Sequence, residues 1–216
     1  MKDTSILTGN GIRTGAQYIS GLQDDREVWT QGKRIKDVTS EPGMSRGISS
    51  LAGFLDKQHE KKYRDKVTYV DEDGIRCPLS FKTPKSKQDI LDRGKAYYEW
   101  ATWSHGMFGR TPDYKNASLM SFSAARSFLD KGTVGKADFS QNMLNFYNHA
   151  RTNDQILTHT LINPSVSHKQ AAAGIYNATV ALHVVKETDA GIIVSGARLL
   201  ATLGPFADEI EVFPST

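Results

Sequence analysis

The residues best suited to chemistry lie in one short stretch, His105-Gly-Met-Phe-Gly-Arg-Thr-Pro-Asp-Tyr114, and one apolar run, Ile156-Leu-Thr-His-Thr-Leu-Ile162. In the stretch, Gly106 and Gly109 permit backbone angles that other residues resist. Pro112 disfavours helix at Thr111 and suits the first position of a helix. A helix starting there sets Arg110 and Tyr114, four residues apart, on roughly one face at its mouth. Arginine offers a permanent charge and a planar fork of donors, and tyrosine a phenol hydroxyl on an apolar ring. Together they suit a small anionic or phenolic ligand. The same residues also suit a plain helix–helix corner, with Arg110 capping carbonyls and Tyr114 in the core. His159, in the apolar run before Asn163-Pro164, is more often the mark of a satisfied core residue than of a catalyst. His105 is a rival on the same grounds, while His149 and His183 fall in regular elements.

The elements that must hold these residues follow from caps, turns and periodicity. Thr14 and Gln17 fit a capping box over a short helix to Leu22. Glu27–Thr30 and Lys33–Lys36 flank Gln31-Gly32 as a β-hairpin. Ser45 is expected to cap a helix with Ile48, Leu51 and Leu55 inward, followed by a solvated charged run through Arg64. Val67–Val70 and Ile75–Phe81 read as a second hairpin around Asp73-Gly74, carrying an unreactive Cys77. The acidic loop Asp71-Glu-Asp-Gly74 lacks the later ligands of a calcium site. Ser86 and Asp89 open a helix whose inner face is predicted as Ile90, Tyr97, Trp100 and Ala101. It delivers the chain to His105. A further helix covers Lys115–Leu129, with Leu119, Phe122 and Phe128 apolar, and Asp130–Gly135 breaks it. Asp138 caps the next, with Phe139, Met143, Phe146, Tyr147 and Ala150 as a core stripe.

After Asp154 the pattern turns to strands: the run carrying His159, a hairpin over Ala181–Val185 and Ile192–Val194, and Ile210–Phe213. Helices first and strands later give an α+β arrangement. Apolar strands with an open edge must be covered, by another chain or by more of a longer protein. The chain has 216 residues and a net charge of +3 spread along its length, which leaves no nucleic-acid footprint. No run is long and apolar enough to span a membrane, and the first residues lack the apolar core of a secretory signal. A single cysteine excludes an internal disulfide. These features favour the cytoplasm.

Read together, Thr14–Leu22, Arg26-Glu-Val-Trp29, Asp37-Val-Thr39, Trp100–Tyr114, Thr158-His-Thr-Leu-Ile-Asn-Pro164 and Lys186–Arg198 resemble the 4-hydroxyphenylacetate 3-hydroxylase family, in order and over nearly the whole chain. These are oxygenase components of two-component monooxygenases. The resemblance implies an acyl-CoA dehydrogenase-like fold. Residues 1–154 would be its mainly helical N-terminal domain and 155–216 the first strands of its β-barrel middle domain, with the C-terminal helical bundle absent. It implies that Arg110 and Tyr114 form the substrate-pocket pair and that His159 meets the phenol oxygen beside the flavin. It assigns flavin contacts to His159, Asn163, Ser165, Val166, Ser167, His168 and Thr202, and no metal. The implied cofactor is FAD, supplied as FADH2 by a separate NAD(P)H:flavin reductase, with O2 as co-substrate. The implied reaction is ortho-hydroxylation of a phenol such as 4-hydroxyphenylacetate through a flavin C4a-hydroperoxide, in a homotetramer when full-length.

The residue types fit that chemistry. Hydrogen bonds from Arg110, Tyr114 and His159 would stabilise phenolate character, and His159 could shuttle the proton. One departure stands out: the family often has an acidic residue and an arginine after Asn-Pro, where this chain has Ser165-Val-Ser-His168. Flavin affinity or cofactor choice is expected to respond. A non-catalytic binding or assembly module is the alternative. A relative of the CoA-thioester dehydratases is disfavoured, because Cys77 alone cannot ligate an iron–sulfur cluster.

Overall fold

Three of the described helices begin where a polar side chain closes their open N–H groups. In the computed structural model, which describes residues 11–106, 112–132, 138–164, 180–188 and 191–213, Thr14 caps α1 (Gly15–Gly21). Its hydroxyl accepts from the Gln17 N–H (3.2 Å), and the Gln17 side chain accepts from the Thr14 N–H (2.8 Å). Helix α1 crosses α2 (Ser45–Lys57) at Gly15, whose N–H donates to Asp56 (2.8 Å). A β-carbon on Gly15 would stand 2.6 Å from the Ala52 carbonyl oxygen, so the approach itself demands glycine. Ile48, Leu51 and Leu55 are buried as their spacing predicts. The cap is not Ser45, which is already helical; Met44 holds that place without a side-chain bond. A turn on the Glu41 carbonyl, which accepts from Met44 and Ser45, starts the helix instead.

The first hairpin pairs β1 (Val28–Thr30) with β2 (Lys33–Ile35) across Gln31 and Gly32, both at positive φ. The second pairs β3 (Thr68–Val70) with β4 (Arg76–Pro78). It is shorter than predicted at both ends. Val67 ends the short helix α3 (Arg64–Val67), and Leu79–Phe81 forms a 3-10 helix. Pro78 has no N–H to continue a ladder.

Ser86 caps α4 (Lys87–Trp103) as expected, accepting from the Asp89 N–H. Its inner face keeps the predicted Trp100 and a half-buried Tyr97, but not Ile90 or Ala101. Arg93, Ala96 and Trp100 are buried, whereas Ile90 is 61% exposed and Ala101 faces solvent. The cause is Arg93, which apolar periodicity counts as outward. Its guanidinium donates inward to the Lys82 carbonyl (2.8 Å) and the Tyr97 hydroxyl (2.7 Å). Trp100 and Trp103 pack with Phe54, and Tyr63 meets Trp103 edge-on.

The break after α4 turns through His105 and Gly106, both left-handed, and α5 runs Pro112–Ala124. A 3-10 helix, Arg126–Gly132, replaces both the predicted end of that helix and the start of the predicted flexible break. Of its apolar positions Leu119 is buried, while Phe122 and Phe128 are exposed. Helix α6 (Phe139–Thr152) is capped by Asp138 and buries Tyr147 and Ala150. The Tyr147 hydroxyl donates to the Phe81 carbonyl (2.7 Å).

Two compact units result, Met1–Ile156 and Leu157–Thr216. In the second, β5 (Leu157–Thr160) pairs in parallel with β8 (Glu209–Val212). Strands β6 (His183–Thr188) and β7 (Gly191–Ser195) form an antiparallel hairpin. Among the described residues these are separate two-stranded sheets, not a closed barrel. No described helix is long and apolar enough to cross a membrane.

Candidate functional site

His159 occupies the third position of β5, where all four residues are buried and its own exposure is 4%. Parallel register sets it opposite Glu211, so both side chains leave the same face of the pair. Phe213, two residues further on, shares that face, and its ring meets the imidazole edge-on at 6.2 Å between centroids. Neither neighbour was singled out from the sequence. They reach His159 only through a pairing of strands far apart in the chain, for which one-dimensional patterns carry no signal.

Beyond Thr160 the chain is stitched rather than laddered. Ile162 forms a bridge with Leu199, whose N–H donates to the Ile162 carbonyl (2.8 Å). The Thr160 hydroxyl donates to the Leu199 carbonyl (2.5 Å). Asn163 follows, and its amide oxygen accepts from Nη1 of Arg198. Nη2 of the same guanidinium donates to the Phe213 carbonyl. Thr202 is exposed, in the turn after Leu200, which stands at φ +66°. The second unit thus carries His159, Asn163 and Thr202. Neutral amide and hydroxyl groups of this kind suit the polar rim of an isoalloxazine ring.

Tyr114 belongs to the first unit, in the first turn of α5. It is 54% exposed, so it does not fill a core corner. The helix is held from behind: Lys115 and Asn116 are buried, and the Asn116 amide donates to the Ser80 hydroxyl (3.0 Å). This leaves the Tyr114 ring facing outward, with the Lys115 ammonium 5.9 Å from its centre. Arg110 and Ser165, Val166, Ser167 and His168 lie outside the described residues.

The other chemical groups have local partners. His149 sits between the side-chain amides of Asn153 (3.3 Å) and Gln155 (2.9 Å). His105 and His183 are exposed. Cys77 is fully buried; burial pushes its thiol up to about 12, which leaves almost no thiolate at neutral pH. A cleft of about 500 Å³ in the first unit is walled by Tyr69, Asp71, Lys82, Asp89, Tyr147 and Arg151. Arg151 pairs there with Asp71, Lys82 with Asp89 (2.5 Å) and Lys85 with Glu72 (3.2 Å), so each cation lining the cleft already has a carboxylate partner.

Residues 14–216 match the family model described as 4-hydroxyphenylacetate 3-hydroxylase N terminal. The chain is 38% identical over 205 residues to the 4-hydroxyphenylacetate 3-monooxygenase oxygenase component of Thermus thermophilus. That match covers 94% of the chain and 41% of the relative, so the chain spans about two-fifths of that protein's length. Among solved structures, it superposes with a TM-score of 0.84 and 38% identity on an oxygenase component (HpaB) complexed with FAD and 4-hydroxyphenylacetate, covering 94% of the chain and 41% of that structure. A 4-hydroxybutyryl-CoA dehydratase from N. maritimus shares the fold at a TM-score of 0.75 and 17% identity, covering 94% and 40%.

Proposed function

The chain belongs to the 4-hydroxyphenylacetate 3-hydroxylase N-terminal family, and on that premise we propose that it forms the N-terminal part of a reduced-FAD-dependent oxygenase that ortho-hydroxylates a phenol. The observation that carries this reading is the placement of His159. An ionisable ring is held at 4% exposure on a strand whose end offers the Asn163 amide, with its neighbours fixed on one face.

In this reading reduced flavin, when bound, supplies the activated oxygen. The remaining work falls to side chains. His159 binds the phenol oxygen and holds or passes its proton, which raises electron density at the ortho carbon. Tyr114 and Arg110 orient the same substrate, and the outward ring of Tyr114 is available to do so. Asn163, Ser165, Val166, Ser167, His168 and Thr202 hold the flavin. A separate NAD(P)H:flavin reductase supplies the reduced cofactor and O2 is the co-substrate. Residues 155–216 open a barrel that further strands complete. The apolar residues Val184, Val185, Ile192, Ile193 and Val194, all about half exposed on the β6–β7 hairpin, support that assignment. The complete protein is expected to be a cytoplasmic homotetramer.

The test joins this chain to the remainder of its oxygenase and supplies FADH2 from a flavin reductase. Catechol formed from 4-hydroxyphenylacetate is measured against hydrogen peroxide released. His159→Ala is expected to cut catechol formation by roughly 100-fold, the scale of a lost proton-transfer group, with peroxide release persisting. Full catechol formation in His159→Ala would reject the role, and no turnover of any phenol by the wild type would reject the function.

A further inference from the structure

The end of β5 and the end of β8 have to be kept together for His159 to keep its surroundings. The regular ladder gives out there: its last link is a long bond from the Phe213 N–H to the Thr160 carbonyl (3.2 Å). Phe213 carries the ring that meets His159 edge-on, and its carbonyl accepts from Arg198, outside the ladder. One guanidinium nitrogen holds the Asn163 amide oxygen and the other holds the Phe213 carbonyl. The backbone beside it is stitched to β5 through Leu199, at Ile162 and Thr160.

We propose that Arg198 is a positioning residue: its planar fork clamps Asn163 and Phe213 in one arrangement, and so sets both the amide offered to the flavin and the ring orientation of His159. The purpose rests on the flavin reading, whereas the clamp itself does not. Only arginine can fill the place. Its fork spans two acceptors at a fixed separation, and a lysine ammonium on a flexible stem supplies a point charge to one. The guanidinium has no carboxylate in ion-pair distance among the described residues, so its bonds to two neutral oxygens hold it. A residue kept only to balance charge would have an acidic partner.

The experiment reads the imidazole directly. Long-range proton–nitrogen spectra of the full chain report the tautomer and hydrogen bonding of each histidine ring, with His159 assigned by its loss in His159→Asn. Arg198→Ala is expected to shift or broaden the His159 signals while those of His59, His149 and His183 stay in place. Bound FAD, followed by fluorescence, should weaken about tenfold, the scale of one lost charge-assisted hydrogen bond. Arg198→Lys should fall between wild type and Arg198→Ala. Unchanged His159 signals in a folded variant with a lowered melting temperature would make Arg198 a strut only and overturn the proposal. Should Arg198→Ala fail to fold, Arg198→Lys decides by the same signals. Failure of the wild type to bind FAD would count against the flavin reading alone, since the His159 signals still judge the clamp.

Discussion

Asp71→Asn is the most informative single change for stability. Asp71 and Arg151 join the second hairpin to α6, with side chains only 8% and 12% exposed. One carboxylate oxygen takes the Arg151 guanidinium, and the other accepts from the N–H groups of Asp73 (3.0 Å) and Ile75 (2.8 Å). Burial pulls the Asp71 carboxyl upward, but the guanidinium and the backbone donors outweigh it and hold it below its ordinary value. The substitution leaves the guanidinium buried with longer contacts, to the Tyr69 hydroxyl (3.5 Å), Cys77 sulfur (3.6 Å) and Asn148 (3.4 Å). Removing one member of a buried pair costs about 3–5 kcal/mol. In a domain of this size that corresponds to a fall of roughly 10 °C in melting temperature. The pH dependence carries the sign. A carboxyl with a depressed folded value contributes its stability above the unfolded value of about 3.9 and loses it as pH falls through the folded value. The gap between wild type and Asp71→Asn, measured by thermal melts, should be full at pH 7 and at pH 5 and close below about pH 4. The pair Asp71→Asn with Arg151→Met should recover most of the loss, because no charge is then stranded and the amide oxygen still accepts from the Asp73 and Ile75 N–H groups. A gap under about 1 kcal/mol at pH 7, or one that persists undiminished into strong acid, would refute this account.

Cys77 should resist alkylation in the native chain at pH 8 and react once denaturant is added; rapid native labelling would show that the thiol is not held as buried as the structure has it. Gly15→Ala should cost about 1–3 kcal/mol in urea unfolding, since the new methyl meets a backbone carbonyl and the Asp56 carboxylate that caps it. A neutral outcome would mean that α1 and α2 separate freely. Tyr114→Ala should change stability by less than about 0.5 kcal/mol, as for other exposed positions, while weakening phenol binding in the completed protein; a large loss of stability would restore the core reading of that ring.

Local chemistry was legible in the sequence. Thr14 with Gln17, Ser86 with Asp89, Asp138, Gln31-Gly32 and Pro112 each carry their instruction within a few residues, and each element starts or turns where they stand. The failures share a cause as well. Apolar periodicity has no place for Arg93 on an inner face because it treats every cation as solvated, yet a carbonyl and a phenol waiting inside reverse that preference. The end of the second hairpin was overextended because apolar residues continue past Pro78, and apolar character does not separate a strand from a 3-10 turn.

The candidate site divides along the same line. Tyr114, His159 and Asn163 could be named from residue type and from resemblance, because each sits beside a local mark such as a proline or a strand end. What surrounds His159 could not. A parallel pair must be joined by a long connection, so Glu211, Phe213 and the arginine between β7 and β8 arrive from a part of the chain where nothing in their own neighbourhood points to a histidine. The residues proposed to touch substrate are thus the ones a motif can display, and those that hold them steady are dispersed by topology. On the proposed function, a search for determinants of flavin affinity belongs at Arg198 and Phe213 as much as at Ser165-Val-Ser-His168. The first two act on Asn163 and His159 through contacts that the fold, not the motif, creates.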